Sequence, residues 1–268
     1  MSRNGDLNGR AAIVTGAARG IGRACAVRLA ELGADVAVLD LDLRSGERYD
    51  GEPPGLTTEE IEGLGRRALG VQADLADEAA AHDAVAAAVQ QLGRLDILVN
   101  VAGGAITPFE RSRPSVTPAD DIRRLLDVNL MTTVHCCQAA IPALRQAGGG
   151  AIVNVTSTAA FSIFPDGSNS AYAMVKAAVQ HWTRHLAAEL GPDGIRVNML
   201  APGITLTGRV VAESAETGHA DRAAEVPLGR LGAPEDMANV LQFLATDLSG
   251  FVTGRCIPVD GGWVLTPA

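Results

Sequence analysis

The chain has 268 residues, 47% of them hydrophobic, and a formal net charge of −9. Apolar surface is ample for a large core, while the acidic balance excludes a nucleic-acid backbone as the main partner, because that surface needs clustered positive charge. No apolar run approaches the roughly 18 residues that span a bilayer, and Cys25, Cys136, Cys137 and Cys256 lack Cys-x-x-Cys spacing, so a reduced cytoplasmic setting with no metal is expected.

Residues 1–9 are polar, carry no apolar signal segment and are expected to form a flexible tail. Ala11-Ala12-Ile13-Val14 reads as a buried strand, and Ile21 to Leu32 as a helix closed by Gly33. A second strand, Val36 to Leu39, ends at Asp40. Further short apolar runs fall at 69–72, 95–99, 151–155, 195–199 and 256–259, with helical patterns at 76–91, 118–146, 170–190 and 234–245, where Pro142 should kink or shorten its helix. Continuous apolar strands alternating with helices predict one α/β domain over 10–268, a doubly wound Rossmann-type sheet of seven parallel strands with helices on both faces. Two segments break the rhythm. The polar, turn-rich stretch 44–55 reads as a surface loop before a helix starting near Thr57 or Thr58, and 204–228 contains Glu213, Glu216 and His219 among small residues.

Gly16, Gly20 and Gly22, with Arg19 and Ile21 between them, follow a strand and open a helix. Glycine permits the tight turn and lets backbone N–H groups approach a pyrophosphate at the helix N-terminus. Asp40, at a strand end, can accept hydrogen bonds from ribose hydroxyls and repel a 2′-phosphate, which points to NAD; the alternative is that Arg19 or Arg44 recruits the phosphate of NADP. Tyr172 and Lys176 are four residues apart and would share a helix face. A cation beside the phenol favours phenolate and makes it a general base.

In this order, Thr15-Gly16-Ala17-Ala18-Arg19-Gly20-Ile21-Gly22, Asp74-Leu75, Asn100-Val101-Ala102-Gly103, Asn129, Ser157, Tyr172 with Lys176, Pro202-Gly203 and Asp260-Gly261-Gly262 resemble the motifs of the short-chain dehydrogenase/reductase family from about Arg10 to Gly262. The resemblance implies a catalytic set of Asn129, Ser157, Tyr172 and Lys176, with Ser157 holding the reacting oxygen, Lys176 also binding the nicotinamide ribose, and the Asn129 backbone holding a relay water. It also implies that Asp74 and Leu75 meet adenine, that Asn100, Ala102 and Gly103 approach the cofactor, and that Pro202, Gly203 and Thr207 hold the nicotinamide carboxamide. Asp74 and Thr207 could instead cap helices. The 204–228 stretch resembles the family's mobile substrate lid.

Ser157 and Tyr172 stand further apart than is common in the family, so the loop 161–169 is lengthened and Thr156 or Thr158 could replace Ser157. Phe109, Phe161, Ile163, Phe164 and Leu206 are expected to flank an apolar pocket. His181 and His185 read as a helix surface or subunit contact, and His135 as helix packing. The expected activity is NAD-dependent hydride transfer between nicotinamide and a secondary alcohol or ketone, in a homotetramer (or dimer) that needs no membrane or nucleic acid. Competing readings are an NADPH-dependent 3-oxoacyl thioester reductase and a non-catalytic dinucleotide sensor.

Overall fold

The computed structural model describes residues 5–217 and 219–265, the side chains of 215–221 excepted. Seven parallel strands form one sheet in the order β3-β2-β1-β4-β5-β6-β7. They are β1 (Ala11–Thr15), β2 (Asp35–Asp40), β3 (Ala68–Gln72), β4 (Ile97–Asn100), β5 (Gly150–Val155), β6 (Ile195–Pro202) and β7 (Cys256–Val259). Every residue of β1 and β4 is buried, as expected of strands covered on both faces. β1 pairs with β2 on one side and β4 on the other, with Val14 opposite Val38 and Val99. The winding reverses between β1 and β4, which opens a crevice at the strands' C-terminal ends.

One face of the sheet is covered by α1 (Gly20–Glu31), α2 (Thr57–Gly63) and α8 (Pro234–Ala245), which contribute Leu29, Ile61, Leu241 and Leu244 to the core. The other is covered by α3 (Glu78–Leu92), α5 (Thr132–Gln146) and α6 (Ser170–Leu190), through Val85, Leu144 and Leu190. Each fully buried side chain of this size stabilises the fold by roughly 1.5–3 kcal/mol.

Three expectations need correction. The helix predicted over 118–146 is α4 (Ala119–Leu125), a π-helical stretch at Leu126–Met131, and α5; α5 runs through Pro142 because Cys136, Cys137, Ala140 and Leu144 are fixed in the core around it. The described part of the tail is not loose: Leu7 is buried and its N–H donates to the Leu32 carbonyl at 2.8 Å. The stretch 44–55 begins with a short helical turn at Ser45–Arg48 and is then strapped down by the Arg23 guanidinium, which donates to the carbonyls of Pro53 (3.0 Å) and Gly55 (2.9 Å). As expected, α2 starts at Thr57, whose hydroxyl donates to the Ala17 carbonyl at 2.8 Å. The lid region folds as α7 (Gly208–Thr217) and a helical turn at His219–Glu225; the side chains of Glu216 and His219 lie outside the described residues.

Candidate active site

A cleft of about 530 Å³ follows the C-terminal ends of β1, β2, β4, β5 and β6. At one end it is lined by Gly16, Arg19, Gly20, Ile21, Gly22 and Asp40, with Asp74 and Leu75 beside them. Ala102 and Gly103 line the middle, and Ser157, Tyr172, Lys176, Pro202, Gly203 and Thr207 the other end.

The glycine turn cannot carry side chains. Gly16 sits at φ +63°, and a Cβ there would lie 2.8 Å from the Ala102 backbone, so β1 and β4 meet directly beneath the crevice. The Arg19 side chain does not cap the start of α1, whose Gly20 N–H is held by the Glu52 carboxylate at 2.9 Å, an acceptor standing where a phosphate oxygen would bind. The Asp40 carboxylate accepts from Ala18 N–H at 3.0 Å and Asp42 N–H at 3.2 Å, so it braces the glycine turn while keeping lone pairs for a ribose hydroxyl. A narrow glycine floor, a helix start that binds a carboxylate oxygen and a strand-end carboxylate fit a dinucleotide. Asp74 shapes a turn, accepting from Ala76 N–H at 3.0 Å, and the cap of α3 is Asp77, which accepts from Ala80 N–H at 2.8 Å.

Two expected site residues lie behind the cleft rather than on it. Asn100 is buried and donates to the Asn154 side-chain carbonyl at 2.8 Å, and Asn154 in turn donates to the Thr183 hydroxyl at 3.0 Å, so its side chain ties β4 to β5 and α6. The Asn129 side chain, buried in the π-helical stretch, clamps Gly104: it accepts from Gly104 N–H at 2.8 Å and donates to Gly104 O at 3.1 Å. Gly103 must be glycine beside it, at φ +135° with Asn129 Oδ1 only 2.5 Å from where a Cβ would lie.

Ser157 follows β5, lines the cleft with Tyr172, and its hydroxyl accepts from Ala159 N–H at 3.2 Å. Thr156 and Thr158 do not compete for this role, since their hydroxyls donate to the carbonyls of Lys176 (2.9 Å) and Pro202 (3.2 Å). The lengthened loop before α6 is tied to Ser112, whose hydroxyl accepts from Asn169 N–H at 2.9 Å, and so leaves Ser157 in register. Lys176 is buried, donates to Val155 O at 2.9 Å, and has its pKa pushed down by burial to about 8.

Burial pushes the Tyr172 phenol above its ordinary pKa, and the groups that pull it back are the Ser157 hydrogen bond and the charge of Arg209. The Lys176 Nζ, held by the Val155 carbonyl, stands 5.8 Å from the centre of the phenol ring.

Sequence reasoning missed Arg209, which descends from α7 into the cleft, and Glu52, which accepts from Gly20 N–H (2.9 Å) and Gly208 N–H (2.8 Å) and so bridges the starts of α1 and α7. Arg209, two residues after Thr207, was visible as a cation in an apolar stretch; Glu52 left no local signal. The apolar lining also differs from expectation: Ile106, Ile204 and Val210 face the cleft, whereas Phe109, Phe161, Ile163, Phe164 and Leu206 are not in its wall. Phe109 and Phe164 instead form an edge-to-face pair at 6.2 Å, and Phe164 a second with Trp263 at 6.5 Å. His181 and His185 are exposed on α6 with their Nε2 atoms 3.3 Å apart, and His135 is buried beside Leu75 O at 3.3 Å.

The family model described as enoyl-(acyl carrier protein) reductase matches residues 16–264. A cyclohexanol dehydrogenase from Rhodococcus sp. (strain TK6) is 45% identical over 266 residues, covering 98% of both chains. An L-rhamnose 1-dehydrogenase (NAD(P)(+)) from Sphingomonas sp. (strain SKA58) is 40% identical over 258 residues, 96% of each. Among solved structures, a 7α-hydroxysteroid dehydrogenase complexed with NADH and 7-oxo glycochenodeoxycholic acid superposes with a TM-score of 0.86 at 34% identity, covering 98% of this chain and 97% of the other. The chain belongs to the short-chain dehydrogenase/reductase family. It is a nicotinamide-dinucleotide-dependent oxidoreductase of the secondary alcohol/ketone couple. Among the described residues, no helix is long and apolar enough to cross a membrane.

Proposed function

We propose that the protein is a dehydrogenase that prefers NAD and acts on a secondary alcohol in an apolar, ring-sized skeleton, with Tyr172 as its general acid and base. The observation that carries this reading is the convergence of Ser157, Tyr172 and the buried Lys176 in the same cleft as the glycine turn and Asp40. Nicotinamide, when bound, supplies the acceptor or donor of hydride. Gly20, Ile21 and Gly22 would bind its pyrophosphate, Asp40 its adenosine ribose, and Thr207 with the Pro202–Gly203 backbone its carboxamide. Ser157 donates a hydrogen bond to the reacting oxygen and fixes its distance from Tyr172. The Tyr172 phenolate takes the hydroxyl proton as the alcohol is oxidised, and the phenol returns it to the carbonyl oxygen in reduction. Lys176 holds the proton reservoir behind the phenol, and Asn129 keeps the Gly104 loop from closing over it.

Asp40 supports NAD, and Arg19, the nearest rival for a 2′-phosphate, is stacked on the Tyr49 ring at 4.8 Å. Arg19 lining the crevice is also the observation that favours a second reading, NADPH-dependent reduction of a 3-oxoacyl thioester. Measuring kcat/KM with NAD and NADP on cyclohexanol, related cyclic alcohols and a 3-oxoacyl thioester separates the two: the first reading predicts turnover of a cyclic alcohol with NAD favoured, and NADPH-linked thioester reduction alone would overturn it. We also propose a cytoplasmic homotetramer, with a dimer as the alternative. Full exposure of Phe251 and partial exposure of Leu248 ahead of β7 support a buried interface there, and light scattering on the purified protein decides the stoichiometry.

A further inference from the structure

We infer that Arg209 is a substrate-recognition group, and that the alcohol or ketone taken by this site carries a carboxylate or similar compact anion close to its reacting carbon. The inference rests on the dehydrogenase reading and deepens it by naming the substrate class.

Arg209 lies in the first turn of α7, and its guanidinium reaches the reaction end of the cleft. Its sole hydrogen bond among the described residues is a long one, 3.4 Å from Nη1 to the Ala105 carbonyl. Its Nη2 stands 3.1 Å from where a Cβ on Gly104 would be, so the glycine makes the room in which the side chain lies. None of the ion pairs among the described residues includes Arg209, although the chain is rich in acids; Arg10, Arg23, Arg94 and Arg230 all have carboxylates. A half-buried guanidinium with most of its donors unused is unfavourable unless a ligand brings the matching anion, and its planar fork suits a carboxylate better than any neutral group.

The cofactor's phosphates do not account for it. They are expected at the start of α1, whereas Arg209 lies against Gly104 and Ala105, on the wall of the cleft that also holds Tyr172. The rest of the wall here is Ile106, Ile204 and Val210. An apolar skeleton with one anionic substituent is complementary to that combination.

The test compares cyclohexanol with hydroxycyclohexanecarboxylate as substrates of the full-length protein with NAD, in the wild type, Arg209→Gln and Arg209→Lys, alongside NAD affinity. The wild type is expected to favour the carboxylate. Because its charge also acts on the Tyr172 phenol, Arg209→Gln should lower kcat/KM on both substrates, but by roughly 10- to 100-fold more on the carboxylate than on cyclohexanol, with Arg209→Lys in between. A second arm needs no turnover: with NADH present, cyclohexanecarboxylate should raise the melting temperature of the wild type and not of Arg209→Gln. Equal losses on both substrates, a wild type without preference for the carboxylate, or weakened NAD binding with an unchanged substrate ratio would each overturn the inference. Absence of any NAD-linked turnover in the wild type, with the melting shift intact, would instead sink the dehydrogenase reading and leave the anion site standing.

Discussion

The floor of the crevice and its roof are held by different kinds of contact. In the floor, Ser157, Tyr172 and Lys176 come from β5 and α6, and each is fixed by core packing: Lys176 is 3% exposed, its Nζ is bound to Val155 O and its own carbonyl accepts from Thr156. In the roof, the strap 49–55 and α7 meet through one carboxylate, Glu52, that bridges two backbone N–H groups, with Tyr49 wedged between Arg19 and Gly208. A floor built into the core keeps its geometry whether or not ligand is bound. A roof hung on a single charge can open, and the anion most able to compete for those N–H groups is a phosphate.

The largest expected effect breaks the floor without touching the roof. Tyr172→Phe should lower kcat by about a hundredfold to ten-thousandfold while NAD affinity measured by calorimetry stays unchanged; a modest loss would move the proton chemistry to another group. Next is the charge buried in the floor. The folded-state pKa of Lys176 is lowered from 10.5 to about 8, so between those values the unfolded chain binds the extra proton and stability rises with pH. Over that window the wild type should gain about 2–3 kcal/mol, as an upper bound, relative to Lys176→Met in denaturant titrations. Parallel pH profiles for the two proteins would mean that Lys176 is solvated. The smallest effect concerns the roof: Glu52→Gln should speed hydrogen exchange at Gly208 and along α7 by roughly tenfold, with exchange in α6 unchanged. Equal protection in both proteins would show that the roof does not depend on this carboxylate.

The same division explains what was legible in the sequence. The seven strands, the glycine turn, Asp40 and the Tyr172–Lys176 pair could be read because each lies in a short segment whose spacing or apolar pattern dictates its place, and Ser157 because its segment resembles a family motif. The π-helical stretch at Leu126–Met131 could not, since it depends on Asn129 finding the Gly104 backbone across the fold. Nor could Glu52, whose partner Gly208 is 156 positions away. Nor could the second cation acting on the phenol, Arg209, which only the folded lid brings near. Pro142 does not end its helix, because a buried face carries α5 past it to Gln146.

One feature of the composition permits a direct measurement of the floor: Lys176 is the sole lysine in the chain. Lysine labelled at Cε with an NMR-active carbon isotope therefore gives a single side-chain signal that needs no assignment. Its titration in the ligand-free protein should have a midpoint near 8, the value for an ammonium desolvated behind Tyr172 before any cofactor arrives. A midpoint near the ordinary 10.5 would show that Lys176 is in water and that the floor is not built in advance.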